Sequence, residues 1–268
     1  MILHPTEVIT FAISASPTPV LNVSDHRLIF GSTTGKHLQL DHRGFIAELE
    51  FVALPGTKFE ILESQDSIVW KVKTSEYPSD NLFVDSRFLK KADKDTPERL
   101  KKLPSPKALL KKIYSRKGAP YVWGGNWFDG IPQMLYFYPP RGDLDTHTAN
   151  LWQIKGLDCS GLLYEASDGY LPRNTSHLKS VGKPVPVEGL TAEEICVLLR
   201  PLDLIVFKGH VVMVYDQDTT IESRVGKGVY QDKLLHRLKE IMEAHEPANH
   251  LEDQRSPKFV ARRWHPEV

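Results

Sequence analysis

The sequence predicts an α+β protein in two parts, a small β-barrel followed by a layered domain of helices and antiparallel sheet. Three observations carry this. From about residue 10 to 92, apolar and polar residues alternate between turn signals, with few helical stretches. A charged, proline-punctuated run, KKADKDTPERLKKLPSPK (90–107), follows and reads as a linker. Beyond it, one helical pattern precedes three successive strand patterns joined by tight links, the order of an α+β layer structure. The domains are accordingly placed at 10–92 and 104–268.

Each element has its own signal. In LPGTKFEILESQDSIVWKVK, Phe59 and Ile61 share one strand face, and Trp70 and Val72 another. LFVDSRFL reads as a further short strand, and many short strands imply a small barrel. Ser105 and Pro106 form a helix start, serine at the cap and proline at the first position. KALLKKIY supplies that helix with its apolar stripe. In CSGLLYEAS, Cys159, Leu162, Leu163 and Ala166 fall at helical spacing, and TAEEICVLLR reads as a helix capped by Thr191. LIVF, HVVMVYD and TTIES are three strands, KLLHRLKEIMEA a late amphipathic helix, and KFVARRW a final strand.

Bulk properties exclude several classes. Lysine plus arginine and aspartate plus glutamate balance at 34 each over 268 residues, so overall charge predicts no nucleic-acid partner. Cys159 and Cys196 are too few for a disulfide framework. No run reaches membrane-spanning length, and MILHPTEVITFAISASPTPV lacks the basic start of a signal peptide, which gives a cytosolic expectation. The eleven histidines show no convincing paired ligand spacing, so neither metal nor cofactor is expected.

One cysteine stands where chemistry is expected. A nucleophilic cysteine needs a helix N-terminus or a nearby histidine to become thiolate near neutral pH. Cys159 stands where the apolar periodicity begins, after Asp158 and two residues before Gly161, which allows close backbone approach. His210 opens the strand HVVMVYD on the face of Val212 and Val214, from which it could be presented to the helix. If that strand pairs with TTIESR, Glu222 lies beside His210 and orients its ring. Taken singly, each has a plainer reading: a small buried hydrophobe, a surface histidine, a solvated glutamate. Cys196, in EEICVLL, fits the first of these.

The motifs PYVWGG (120–125), LDCSGLL (157–163), LPRNTS (171–176), RPLDLIVF (200–207), GHVVMVYD (209–216) and TIES (220–223) together resemble the NlpC-type cysteine peptidases of bacterial cell-wall turnover. The order of turns and strands before residue 92, with its tryptophan strand, resembles bacterial SH3-like domains. The pair resembles two-domain γ-D-glutamyl-diamino-acid endopeptidases. That resemblance implies an SH3-like barrel followed by a papain-like catalytic domain. It makes Cys159 the nucleophile, His210 the base and Glu222 the third polar member, with Tyr121, Asp158 and Ser160 lining the substrate site. It adds Ser176 and His177 as substrate contacts, and Glu48 and Glu50 as carboxylates for a free N-terminal amine. The implied partner is a peptidoglycan-derived peptide, bound by a monomer with no nucleic acid, membrane or metal. An enzyme acting on intact wall and an inert wall-binding module remain as alternatives.

The sequence departs from the family pattern in three places. Glu222 stands where His, Asn or Gln is common. Leu202 stands where glycine is usual, a change expected to alter a turn. About thirty residues, 126–155, replace a short loop. Their aromatics, Trp127, Phe128, Tyr136, Phe137, Tyr138 and Trp152, predict an ordered flap packed against the cleft or an interdomain groove.

Overall fold

The period-two patterns of the N-terminal part fold as one antiparallel sheet. The computed structural model describes residues 10–64, 68–251 and 257–267; the first nine residues of the leader reading lie outside them. The strands are β1 (Phe11–Ser14), β2 (Thr18–Leu21), β3 (Leu49–Ala53), β4 (Lys58–Glu63), β5 (Val69–Thr74), β6 (Tyr77–Asp85) and β7 (Leu89–Ala92), in the order β3-β2-β6-β5-β4-β1-β7. No pairing among the described residues joins β3 to β7, so the expected closed barrel is an open path of seven strands. Closure needs hydrogen bonds between the end strands. The predicted faces hold: Phe59 and Val72 are buried in the core, with Ile61 and Trp70 packed against them. LFVDSRFL is not one strand. Asp85 ends β6 by accepting the Arg87 N–H at 2.9 Å, which turns Ser86–Phe88 into a 3-10 helix before β7.

The chain divides into two compact units, and the division crosses the sequence twice. The described residues up to Leu100 join Asp129–Lys155; Lys101–Phe128 join Gly156 onward. Most of the aromatic insert therefore belongs with the N-terminal sheet. Its helices Gln133–Phe137 and Thr146–Trp152 bring Tyr138 and Trp152 into burial. Tyr138 donates its hydroxyl to Asp85 at 2.7 Å, and Phe137 meets Phe88 edge-on at 5.0 Å. The insert is ordered because its rings cover apolar surface, and the surface they cover is that of the N-terminal unit. Tyr136 remains 81% exposed, and Trp127 and Phe128 stay with the second unit.

The second unit is a sheet between helices. Its helices are α1 (Pro106–Tyr114), α2 (Cys159–Ala166), α3 (Ala192–Leu198) and α4 (Leu234–Met242). Its strands are β8 (Lys183–Val185), β9 (Leu204–Phe207), β10 (His210–Val214), β11 (Thr219–Arg224), β12 (Gly228–Lys233) and β13 (Lys258–Arg263), ordered β8-β13-β9-β10-β11-β12. Alternation divides the strands between two cores. Leu204, Val206, Val211 and Met213 pack against α1 and α2; Ile205, Val212 and Val214 pack against α3 and α4. Both helix caps read from the sequence form. Ser105 accepts the Ala108 N–H, and Thr191 and Glu194 make a capping box.

Leu202 keeps a glycine-like backbone, with φ of 74°. Its N–H donates to Val214 at 2.8 Å, its carbonyl accepts from Trp264 Nε1 at 2.9 Å, and its side chain is 1% exposed. A left-handed leucine costs about 1–2 kcal/mol, whereas removing a buried leucine side chain costs about 2–5 kcal/mol. Leu202→Gly is therefore expected to lower stability by about 1–3 kcal/mol despite relieving the backbone. Equal denaturation midpoints for the two proteins would contradict this.

Candidate active site

Asp158 builds the start of α2 and holds it in place. Its Oδ1 accepts the Gly161 N–H at 2.7 Å, capping the helix, and its Oδ2 accepts the Gly124 N–H at 3.0 Å. Arg173, 4% exposed, donates to both oxygens at 3.0 and 2.6 Å and also reaches Ser160 Oγ and Asn126 Oδ1. Cys159 is thereby fixed as the first helical residue, beside the orphan N–H groups of the helix start. The close approach expected at Gly161 is real, since a Cβ there would lie 2.0 Å from the Gly125 carbonyl.

His210 reaches Cys159 from the end of the β9–β10 hairpin. Strand alternation assigns His210 to the Val212 face, whereas α2 packs on the opposite face with Val211 and Met213. The pairing arises because His210 is the first residue of its strand and Cys159 the first of its helix, so both stand at the sheet's end. Cys159 Sγ lies 3.9 Å from the carbonyl of Gly209, the residue before His210, and is close enough to act on the ring's proton affinity. The ring's Nε2 meets Glu222 Oε2 at 2.5 Å. Glu222 lies on the adjacent strand, and the β10–β11 register (Met213 opposite Ile221) makes it a diagonal neighbour of His210.

The electrostatics favour an ionised row. Burial by itself lowers the His210 pKa, but hydrogen bonds to Cys159 and Glu222 outweigh it and raise the ring to about 9. Burial pushes the Glu222 carboxyl up, but hydrogen bonds from His210 and Arg237 overcome this and bring it down to about 2. In thiol chemistry of this kind the attacking state is a thiolate beside an imidazolium, whose proton then goes to the leaving group.

The remaining predicted residues are placed as follows. Asp158 and Ser160 are buried in the Arg173 network. Tyr121 is half-buried in the loop before Gly124. Ser176 and His177 are exposed on a short helix, Thr175–Leu178, and Ser176 lines a pocket of about 330 Å³ together with Gly209. Lys179, Lys208 and Lys258 line the same pocket and have no ion-pair partner among the described residues. Glu48 is half-buried just before β3, in the N-terminal unit. Glu50, on β3, accepts from Asn22 Nδ2 at 2.8 Å and the Tyr77 hydroxyl at 2.5 Å. Cys196 is a free thiol on α3, and burial raises its pKa. Among the described residues no group of three His, Cys, Asp or Glu is placed to hold a metal ion. Sequence reading missed Arg173 and Arg237. Arg237 had left a signal: it stands among Leu234, Leu238 and Ile241, on the apolar stripe of an amphipathic helix.

A helix-borne cysteine, a strand-borne histidine and a carboxylate bonded to that histidine are the kinds of group that nucleophilic acyl transfer uses. No family model and no curated protein matches the chain. Among solved structures it is similar to an NlpC/P60 family protein from Bacillus cereus ATCC 10987, at 17% identity and a TM-score of 0.37, over 96% of this chain and 63% of that one. The chain thus spans less than two thirds of that protein's length. It is also similar to NlpC1 from Trichomonas vaginalis, at 12% identity and a TM-score of 0.37, over 97% of this chain and 95% of that one. A third is RipD from Mycobacterium tuberculosis, described as a non-catalytic NlpC/p60 domain protein adapted to peptidoglycan binding. It matches at 22% identity and a TM-score of 0.33, over 48% of this chain and 86% of that one. All three bear the family name that the motifs of this sequence resemble.

Two outcomes follow from this geometry. Gly161→Ala is expected to destabilise the protein by about 1–3 kcal/mol through overpacking and to slow alkylation of Cys159 by iodoacetamide. Unchanged melting and alkylation would show that the approach to Gly125 is relaxed. The ion pair should also shape stability against pH. His210, raised to about 9, contributes stability that is complete below its unfolded value of 6.5 and is lost as pH rises through 9. Glu222, lowered to about 2, contributes stability present above its unfolded 4.5 and lost as pH falls through 2. Melting temperatures across pH should therefore show a loss on the alkaline side that His210→Ala removes.

Proposed function

We propose that the chain is an NlpC-type cysteine endopeptidase with a papain-like catalytic unit. It hydrolyses the bond between γ-D-glutamate and a following diamino acid, usually meso-diaminopimelate, in peptidoglycan stem peptides. The observation that carries this is the Cys159–His210–Glu222 row, with Cys159 at a helix start beside His210 and the ring hydrogen-bonded to Glu222. The thiolate attacks the carbonyl carbon; the C–N bond breaks as His210 gives its proton to the leaving amine. The neutral ring then takes a proton from water, which attacks the thioester, releases the acid and restores the thiolate. The pocket beside Gly209 supports a substrate bearing carboxylates, because three lysines line it.

The N-terminal unit is proposed to be SH3-like and to select substrates with a free N-terminal L-alanine. Glu48 and Glu50 are the candidate carboxylates for such an amine, and the bonds of Asn22 and Tyr77 to Glu50 support a fixed acceptor there. That selection suits soluble muropeptide fragments and a role in their recycling, in the cytoplasm.

The test incubates the protein with L-Ala-γ-D-Glu-diaminopimelate, with and without its muramyl group, and identifies products by mass. Free diaminopimelate is expected, released faster from the free-amine peptide. Cys159→Ala should lower the rate by at least about 10³-fold, and Cys196→Ala should keep it. Tight binding without cleavage would instead support a binding module, and equal rates on both peptides would remove the recycling role.

A further inference from the structure

Glu222 is 2% exposed, and its carboxylate is held by more than the histidine. Arg237, itself 3% exposed, donates Nε to Oε1 at 2.5 Å and Nη2 to Oε2 at 3.0 Å. The Tyr230 hydroxyl, directly across from Glu222 on β12, donates to Oε1 at 3.1 Å. Arg237 also gives Nη1 to Glu240 at 3.0 Å, and Glu240 accepts from Arg224 at 2.7 Å. Charge therefore alternates in a line from Arg224 through Glu240, Arg237 and Glu222 to His210. Arg237 occupies a place on α4 that its apolar stripe would otherwise fill, and burying a guanidinium there is costly unless the ion has work to do.

We propose that Arg237 is a positioning residue that sets the basicity of His210 through Glu222. A lone buried carboxylate 2.5 Å from the ring would favour imidazolium strongly. The ring would then hold its proton too tightly to pass it to a leaving amine and regain it from water. A guanidinium bound to both carboxylate oxygens opposes that pull by its own charge. It also fixes the carboxylate's rotation, so that Oε2 stays aimed at Nε2. A lysine would supply the charge without the two-point hold. The other titratable or charged groups facing this region are Cys159 on α2, Tyr230 on β12, Arg224 at the end of β11, Glu240 on α4, and His245, whose ring lies 4.6 Å from Phe207.

The consequence for turnover rests on the proposed reaction, but the effect on the ring does not, so the test uses no substrate. The pKa of His210 is measured by NMR of labelled histidine in a Cys159→Ala background, its signal assigned through His210→Ala. Arg237→Met is compared with its parent, and Glu222→Gln/Arg237→Met with Glu222→Gln. In the first pair, loss of Arg237 is expected to strengthen proton binding at His210 by about tenfold, because the carboxylate is released from its competitor. In the second pair, where Glu222→Gln has removed the carboxylate that carries the effect, the change is expected to be much smaller. An unchanged His210 pKa in the first pair, or an equal shift in both, overturns the proposal. Arg237→Lys, which keeps the charge without the two-point hold, is read in the same Cys159→Ala background should Arg237→Met fail to fold, and an unchanged His210 pKa there overturns the proposal equally. Failure of the peptidase assay would leave this result standing.

Discussion

The Cys159–His210–Glu222 row depends on Glu222 remaining ionised inside the protein. A buried carboxylate without partners would take up a proton rather than keep its charge. Here four donor contacts, one from His210, two from Arg237 and one from Tyr230, satisfy its oxygens. They come from β10, β12 and α4, so the charge stays only while those elements hold together. The same carboxylate raises His210, and His210 in turn partners Cys159. Removing one donor exposes the others to an uncompensated buried charge, which is why such a row responds as a unit.

A second buried ion pair does the corresponding work for Cys159. Asp158 is at once the cap of α2, the acceptor for Gly124 and the partner of Arg173. These bonds tie PYVWGG, LDCSGLL and LPRNTS into one support beneath Cys159. The motif residues Asp158 and Ser160 thus spend their hydrogen bonds on the protein itself. The lysine-lined pocket begins on the other side, at Gly209, the turn residue whose carbonyl lies 3.9 Å from the thiol.

Much of this was readable along the chain. Local signals are short-range, and short-range physics gave them away: Ser105 and Thr191 as caps, Cys159 at the onset of a helical period, and β9 to β11 as successive short strands with tight links. The face of His210 was not readable by that rule. Alternation turned it away from α2, and only the common end of sheet and helix brings the two groups together. LFVDSRFL misled because its apolar spacing suited a strand, while one Asp85 side chain bonding the backbone at Arg87 was enough to break it.

Composition and periodicity set the α+β class, the helix that carries the cysteine and the strands that carry the histidine and glutamate, because each rests on neighbours within a few residues. Three features came only from the assembled fold: the open strand path of the first unit, the docking of the insert on it, and the arginines behind Asp158 and Glu222. Tyr138 and Asp85 are 53 positions apart, and Arg237 and Glu222 are 15. Nothing in a local pattern says which distant carboxylate a buried hydroxyl or guanidinium will find. That choice is made by packing, when desolvation leaves each polar group needing a partner within reach.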